Sequence, residues 1–540
     1  MIERKEQGMQ IKKKIYHRIK FQNISPLSIG SGESRKTDHD LLLDSRGVPF
    51  IPGTALAGVY QLLLAMDKKK KAYYFGTVVE AKKDEKQENR ESLLLIYDGT
   101  LCDTFHEGAI SVRDMVALTP EKTAREGAKF DRQILETGKT FVTYIEQNIV
   151  DGEQDKKYSN VNREIEVGEK IAIAFQKGEV FVGGKTSRGF GQLMAVEIHR
   201  AEFDMTDSSD VDAWLKFNMY EDDKEIAKDD SKWKRVDPNT LTQTDNFNRC
   251  DITLRLKQAG GISIRKYFAG IGQADYEQLT IRMKTSDVKN RAKTEGITPA
   301  FSKKQEKVSD ADMIELPVIP GTSWSGAFRS QMAKLNPNLH INAKTESKLI
   351  RWAFGEANSK INNSNDTKKG TNEETQIEEK KIEKYIGKAH LTFSESLLFH
   401  AAPQEYTRNA IDRFTGGTAT GALYTEKTWF DGETKLQIRY DRLPEDVSEK
   451  SKQEEQEMLC TLAAAITDLV GGYLSVGGLT AVGRGIFACT EISIGGETIP
   501  VYQTDQERES QQSDTADTLS AESLEGVYAW IKGQLVKEGE

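Results

Sequence analysis

The stretch best equipped for chemistry in this 540-residue chain is "GGKTSRGFG", Gly183 to Gly191. Gly183, Gly184, Gly189 and Gly191 let the backbone approach a ligand, while Lys185 and Arg188 put positive charge where a phosphate would lie. Such a loop can be a nest for an anion, and it can equally be a tight turn between a helix and a last strand. It is not a Walker loop, because no Gly-Lys-Ser/Thr ends it ahead of a helix. It is not a Rossmann fingerprint either, because a strand follows it. A second version, "GGLTAVGRG", carries Gly477, Gly478, Arg484 and Gly485, and repetition favours a functional role.

The elements that would hold these loops are also written twice. Val48 to Tyr60 reads "VPFIPGTALAGVY" and Leu316 to Phe328 reads "LPVIPGTSWSGAF". Each is a strand, a tight turn and a helix start: Pro sets φ, Gly permits close backbone approach, and Thr54 or Thr322 is placed to cap the helix. Ahead of each lie an alternating strand and a glycine-containing loop, "KIYHRIKFQNISPLSIGSG" and "DITLRLKQAGGISIRKYFAGIGQAD". After each comes an aromatic-Phe-Gly stop, Tyr74-Phe75-Gly76 and Trp352-Ala353-Phe354-Gly355. Both halves close on the glycine loop and one more strand. Correspondences in one order imply duplication.

The expected layout is a first domain over residues 1–205, an acidic and polar linker over 206–247, and a second domain over 248–500. Two stretches read as insertions in that second domain, a basic one near 284–312 and a low-complexity one near 357–385. A polar tail over 501–540 carries a short helix around Leu524 to Val536. Strands separated by single helices without regular βα alternation predict an α+β fold, antiparallel sheets with helices on one face.

Composition narrows the function classes. The chain is 37% hydrophobic, 29% charged and 8% aromatic, enough to bury a core while leaving long solvated segments. No run of about 18 apolar residues exists, and "MIERKEQGMQIKKK" lacks the apolar segment of a signal peptide, so a cytoplasmic protein with no membrane partner is expected. Four cysteines without paired spacing and seven histidines without an H-x-x-x-H pair argue against a disulfide framework or structural zinc. A weakly held Mg²⁺ would leave no such trace. The net charge of −9 discourages nucleic-acid binding only on average, since local basic patches matter more than the sum.

Together "IPGTALAG", "IPGTSWSGAFR", the two glycine loops and above all "RNAIDRFTGGTATGALYTE", Arg408 to Glu426, resemble the RAMP superfamily of CRISPR-associated proteins. More narrowly they resemble the backbone subunits of type III effector complexes. The likeness spans roughly residues 15–205 and 248–498, as in a tandem fusion of two such subunits of the type III-D-like kind. It implies two ferredoxin-like, RRM-related domains with thumb-type insertions, binding crRNA. Each thumb hairpin would flip one nucleotide out of the guide–target duplex. The implied partners are crRNA, complementary target RNA, adjacent backbone subunits, the large polymerase-like signalling subunit and the small subunit.

The resemblance also implies cleavage of target RNA. An aspartate after the first strand would promote attack of a 2′-hydroxyl on the adjacent phosphate with Mg²⁺ or Mn²⁺, leaving 2′,3′-cyclic phosphate ends. Asp38 falls at that position in the first half, with Asp40 close by, and Asp275 in the second; both would be catalytic and metal-binding. A carboxylate beside a phosphodiester can orient or deprotonate the 2′-hydroxyl or hold the ion. Arg35 and Lys36 in one loop, and Arg265 and Lys266 in the other, could stabilise the transition-state charge.

RNA contacts are implied for Thr54, Gly183, Gly184, Lys185, Arg188 and Gly191, and for Arg265, Lys266, Thr322, Ser323, Arg329, Arg408, Arg413, Gly477, Gly478 and Arg484. The first half has Ala57, Val59 and Gln61 where the family presents basic residues, so its grip could come from Lys68 to Lys71. Arg408, Asp412 and Arg413 could form a charge-paired thumb base, with Thr415 to Gly417 reaching RNA; "AREGAKFDRQILETGKTF" is a weak first-half counterpart. Phe190, Tyr267, Phe268 and Phe414 are candidates for stacking on bases, and His39 for acid–base work. Two alternatives stay open: a non-catalytic crRNA-binding scaffold of the same complex, and a metal-independent guide-processing endoribonuclease.

Overall fold

The computed structural model describes residues 10–32, 34–64, 66, 68–76, 91–105, 109–118, 124–150, 166–219, 226, 232–237, 249–266, 274–298, 313–336, 348–355, 389–443, 449–501 and 523–536. They divide into two compact units, the first drawn from 1–112, 131–186 and 190–245, the second from 113–130, 187–189 and 246–540. Tyr267, Phe268 and the low-complexity stretch near 357–385 lie outside the described residues.

The first half runs β1 (Ile11–Asn23), α1 (Gly53–Leu63), α2 (Lys68–Phe75), β2 (Leu94–Ile96) and β3 (Thr100–Leu101). A hairpin of β4 (Ile110–Leu118) and β5 (Ala124–Leu135) follows, then β6 (Thr140–Val150), α3 (Val167–Gln176), β7 (Val180–Phe181) and β8 (Gln192–Asp204), with α4 (Ser208–Lys216) and β9 (Lys234–Arg235) last. The sheet order is β2-β6-β1-β8-β7, with β3 on β6 and β9 on β8. With β1, β2, β6 and β8 as its four main strands, this is the βαββαβ order of a ferredoxin-like core, and the hairpin enters between the second and third. Strand β1 is central, antiparallel to β6 and β8, and both its faces are covered. On one face Phe21 stands 5.7 Å from Phe141 and 4.9 Å from Phe175 of α3, ring centroid to centroid.

The other face of that sheet changes the reading of residues 206–247. Trp233 and Ile226 are buried with Tyr16, Tyr144 and Phe203 in a second apolar cluster, against which Trp214 and Phe217 pack. The Trp214 indole donates to the Tyr16 hydroxyl (2.9 Å), which donates to Glu146 (2.8 Å). Part of the expected linker is therefore a cover over the sheet, because its tryptophans bury far more apolar area than a spacer would leave in water.

The second half repeats the order. It runs β10 (Arg249–Gln258), β11 (Arg265–Lys266), β12 (Tyr276–Gln278), β13 (Thr280–Lys284), α5 (Thr285–Thr294), β14 (Met313–Ile319), α6 (Gly321–Leu335) and α7 (Lys348–Phe354). Then come β15 (Leu391–Phe393), β16 (Ser396–Leu397), a hairpin of β17 (Ala402–Arg408) and β18 (Tyr424–Phe430), and β19 (Glu433–Asp441). The 22-residue α8 (Glu449–Val470), β20 (Phe487–Ile494), β21 (Glu497–Pro500) and α9 (Leu524–Leu535) complete it. The main sheet is β15-β19-β10-β20-β21, again with a hairpin between the second and third core strands. Trp324 and Phe328 of α6, Leu462 and Ile466 of α8, and Val527 and Ile531 of α9 form its core with the sheet.

Two local expectations need correction. The Ile-Pro-Gly-Thr helices begin at Gly53 and Gly321 with Pro at the cap, and Thr54 and Thr322 lie inside the first turn rather than capping it. In the first helix the Gly53 N–H donates to Asp98 Oδ1 (2.6 Å), a cap from the β2–β3 turn. Glycine is required there: a Cβ on Gly53 would stand 2.3 Å from the Ile96 carbonyl oxygen. The basic stretch near 284–312, of which 299–312 lie outside the described residues, also contributes core residues rather than insertion alone. Val288 and Ala292 of α5 are fully buried with Ile281, Met283, Leu316 and Phe399 in a small core of their own. The aromatic-Phe-Gly stops behave as expected, α2 and α7 each ending on Phe before a left-handed glycine, Gly76 and Gly355 (φ 75° in both). No described helix is long and apolar enough to cross a membrane.

His17 on β1 is 1% exposed, and burial pushes its imidazole down to about 4, Glu166 pulling the other way and Arg200 adding to the fall. The folded state thus keeps His17 neutral where an unfolded chain protonates it below about 6.5. Between those values the unfolded state binds the extra proton, so stability falls as pH falls. Denaturant unfolding should show a loss of about 2–3 kcal/mol between pH 7 and pH 4.5 from this group. His17→Gln should remove that part of the pH dependence.

Candidate functional site

The loop that leaves each central strand is clamped from two sides, and the first clamp is the glycine turn. The Gly184 N–H donates to Ser28 O (2.8 Å) and the Gly191 N–H to Pro26 O (2.7 Å). In the second half Gly478 donates to Ser263 O (2.7 Å) and Gly485 to Gly261 O (2.9 Å). Gly191 (φ 76°) and Gly485 (φ 70°) are each so close to the start of their own turn that a Cβ would stand 1.9 Å from the carbonyl oxygen of Val182 or Val476. These amides are engaged by protein carbonyls, so the expected anion nest is closed at Gly184, Gly191, Gly478 and Gly485. Charge for a phosphate must come from side chains, of which Lys185 is half-buried and held at a left-handed φ of 64°.

The second clamp is the hairpin. Leu27 pairs with Leu135 of β5 through reciprocal backbone bonds of 2.9 Å, and the Ile262 N–H donates to Trp429 O of β18 (3.2 Å). The candidate aspartates stand further along, Asp38 eleven residues beyond Leu27 and Asp275 thirteen beyond Ile262. Asp38 is exposed, and its Oδ2 accepts from the Asp131 N–H on β5 (2.9 Å). Asp275 is exposed, and its Oδ2 accepts from the Thr425 N–H on β18 (2.7 Å). The same carboxylate–amide bond to the same strand of the inserted hairpin occurs in both halves.

Asp40 has a different task from Asp38. Although burial opposes its ionisation, the backbone N–H groups of Lys36, Arg35 and Thr37 and the Thr37 hydroxyl all donate to it, holding its carboxyl down to about 2. It folds the loop back on itself and is 9% exposed. His39, beside Asp38, is exposed; its imidazole is held below the usual range by desolvation, then by Arg132 and Lys185, against the pull of Asp38 and Asp131. Arg132 is buried and donates to the Ser28 hydroxyl (2.9 Å).

The second half places different side chains on this frame. The Arg265 guanidinium lies 3.9 Å from the centre of the Tyr276 ring, which meets Tyr424 edge-on at 5.5 Å. Buried Glu426 takes ion pairs from Arg484 (3.1 Å) and Arg408 (3.3 Å). Arg484 is 6% exposed and faces Phe430 (5.3 Å) and Tyr406 (5.8 Å), so its charge is neutralised inside the fold rather than offered to RNA. Arg408 pairs with Glu426 instead of Asp412. Asp412 closes the end of the hairpin, accepting from the Phe414 N–H (2.9 Å), the Thr415 N–H (2.7 Å) and the Thr415 hydroxyl (3.0 Å). Phe190 is 1% exposed and belongs to the core, whereas Phe414 is 95% exposed.

Other expected contact residues are distributed around these loops. Thr54, Gly183, Arg35, Lys36, Arg265, Lys266, Arg413 and Gly477 are exposed, and Arg188, Thr322, Ser323 and Arg329 are half-buried. Arg188 and Gly189 fall in the second unit, where a Cβ on Gly321 would stand 2.3 Å from the Arg188 carbonyl oxygen. In that unit Arg113 of the first hairpin forms a buried ion pair with Glu395. Among the described residues no group of three or more His, Cys, Asp or Glu could hold a metal ion. Sequence reasoning missed Asp131, Arg132, Thr425 and Glu426, which lie far along the chain from the aspartates. The signal was present in "FDRQILETGKT" against "YTEKTWFDGET", which align through Gly138 and Gly432.

If these glycines serve backbone approach, Gly191→Ala or Gly485→Ala should cost at least about 3 kcal/mol in denaturant unfolding, combining left-handed strain with a carbonyl clash. Gly58→Ala, exposed in α1 with nothing within 4 Å of its Cβ, should instead stabilise by about 0.5–1 kcal/mol. No curated protein matches the chain. The family model of the RAMP superfamily matches residues 20–194 and 297–488, one region in each half and together more than half of the sequence. With a match in each half that together covers most of the sequence, the chain belongs to the RAMP superfamily.

Proposed function

We propose that this protein is a crRNA-binding backbone subunit of a type III CRISPR ribonucleoprotein, a tandem fusion of the type III-D-like kind, and that it cleaves complementary target RNA at Asp38 and Asp275. The observation that carries the reading is the repeated bond from each exposed aspartate to the second strand of an inserted hairpin. Superfamily membership supports the RNA-binding and CRISPR part, because the likeness lies in both halves. In this reading the two inserted hairpins serve as the thumbs that enter a guide–target duplex. Exposed Ile411, Phe414 and Leu423 at the far end of the second supply apolar surface for unstacked bases.

In this reading each aspartate orients or deprotonates a target 2′-hydroxyl. The 2′-oxygen then attacks the adjacent phosphorus, the bond to the 5′-oxygen breaks, and the products carry a 2′,3′-cyclic phosphate and a 5′-hydroxyl. Bound Mg²⁺ or Mn²⁺ would neutralise phosphate charge beside Asp38 or Asp275, a role that fits few ligands because such ions keep waters and take phosphate oxygens as ligands. Lys185 in the first half, and Arg265 and Lys266 in the second, supply fixed positive charge. The other type III subunits and the target RNA complete the assembly.

The test is cleavage of an end-labelled complementary RNA by the assembled complex. Asp38→Ala and Asp275→Ala should each remove one distinct cut, by at least about a hundredfold in rate, with crRNA binding unchanged. Chelator should stop both cuts. Cuts that survive the double variant would make the chain a scaffold, and chelator-resistant cutting of precursor guide would make it a processing enzyme. Asp40→Asn should lower the melting temperature, whereas Asp38→Asn should not.

A further inference from the structure

The two halves hold their aspartate loops by different means. In the second, Asp275 leads into β12, which pairs with β18 as a short parallel ladder, Tyr276 opposite Glu426 and Glu277 opposite Lys427. In the first, the corresponding residues form bends with no ladder to β5. What joins them there is a set of side-chain bonds beside one backbone bond. The Asp38 N–H donates to Asp131 Oδ1 (2.7 Å) while the Asp131 N–H donates to Asp38 Oδ2 (2.9 Å). Next to this pair the Gln133 N–H donates to His39 O (3.0 Å) and the Leu41 N–H to Gln133 Oε1 (3.1 Å). Thr425, at the place of Asp131, donates its amide to Asp275 but has no carboxylate with which to return the bond.

We propose that Asp131 is a positioning residue of the first half: its carboxylate clasps the Asp38 amide and so fixes the loop that presents the Asp38 carboxylate. The inference rests on the reading of Asp38 as the group that meets the 2′-hydroxyl, and it adds a residue outside the aspartate loop. The clasp replaces the ladder that the second half uses. Its requirement is an acceptor oxygen at position 131 rather than a negative charge, which separates it from a metal-ligand or general-base role. A misplacement of the catalytic group by even a fraction of an ångström costs rate without loosening RNA binding.

The assembled complex with crRNA, carrying Asp131→Ala or Asp131→Asn, is measured in two ways. In single-turnover cleavage, Asp131→Ala should slow the first-half cut about tenfold or more, leave the second-half cut and crRNA affinity unchanged, and be restored to within about threefold by Asp131→Asn. In hydrogen exchange, the Asp38 amide should exchange about tenfold faster in Asp131→Ala and at the wild-type rate in Asp131→Asn. An Asp131→Asn variant as slow as Asp131→Ala, or an Asp38 amide equally protected in Asp131→Ala and wild type, would overturn the proposal. If Asp38→Ala leaves the first cut intact, the cleavage reading fails, and the exchange measurement still decides the clasp.

Discussion

Everything at the candidate sites depends on how the loop after the central strand is held. It leaves β1 or β10 between two neighbours, a glycine turn on one side and a hairpin strand on the other, and both grip it through backbone hydrogen bonds. The glycine turn can come that close because positions 183 and 477, both in a left-handed backbone, carry no Cβ: one there would stand 2.4 Å from the Ser28 carbonyl oxygen or 2.7 Å from that of Ser263. The aspartate lies further along the same loop, and its carboxylate is tied in turn to an amide of that hairpin strand. A carboxylate carried on a loop thereby gains the placement of one carried on a sheet.

The duplicated frame carries chemistry that has diverged. Backbone bonds recur pair for pair, from Gly184–Ser28 and Gly478–Ser263 to Leu27–Leu135 and Ile262–Trp429. The side chains at matching places do not: Lys185 against Leu479, both at positive φ; Phe190 against Arg484; Arg132 against Glu426; Asp131 against Thr425. Buried polar groups must be paired, so a change at one place forces a change at another. Glu426 and Arg484 enter the second half together as an ion pair, where the first half has Arg132 on a serine hydroxyl and a core phenylalanine. The halves keep one fold while carrying different side chains on it.

Much of this was legible in the sequence because the duplication prints the backbone requirements twice. The Ile-Pro-Gly starts and the glycine stops after α2 and α7 followed from positions where glycine or proline fits, and the α+β order from strands separated by single helices. What stayed hidden depends on partners distant in the chain. Arg484 looked like a free cation until Glu426 appeared beneath it, and Asp412 looked like an arginine partner until its acceptor oxygens proved to close a turn. The polar stretch around Trp214 and Trp233 looked like a linker because its charge hides two tryptophans that cover a sheet face. Composition reports average solvation, and a few aromatic rings can decide where a polar segment lies.

The central claim is that two equivalent aspartates meet the target strand at two separate places. The most direct measurement is electron cryomicroscopy of the assembled complex with crRNA and a 2′-deoxy target that cannot be cut. The account expects the carboxylates of Asp38 and Asp275 each to stand beside a different target phosphodiester, within reach of a hydrogen bond or one bridging ion. A target strand that passes neither carboxylate, running instead over another face of the two sheets, would contradict it.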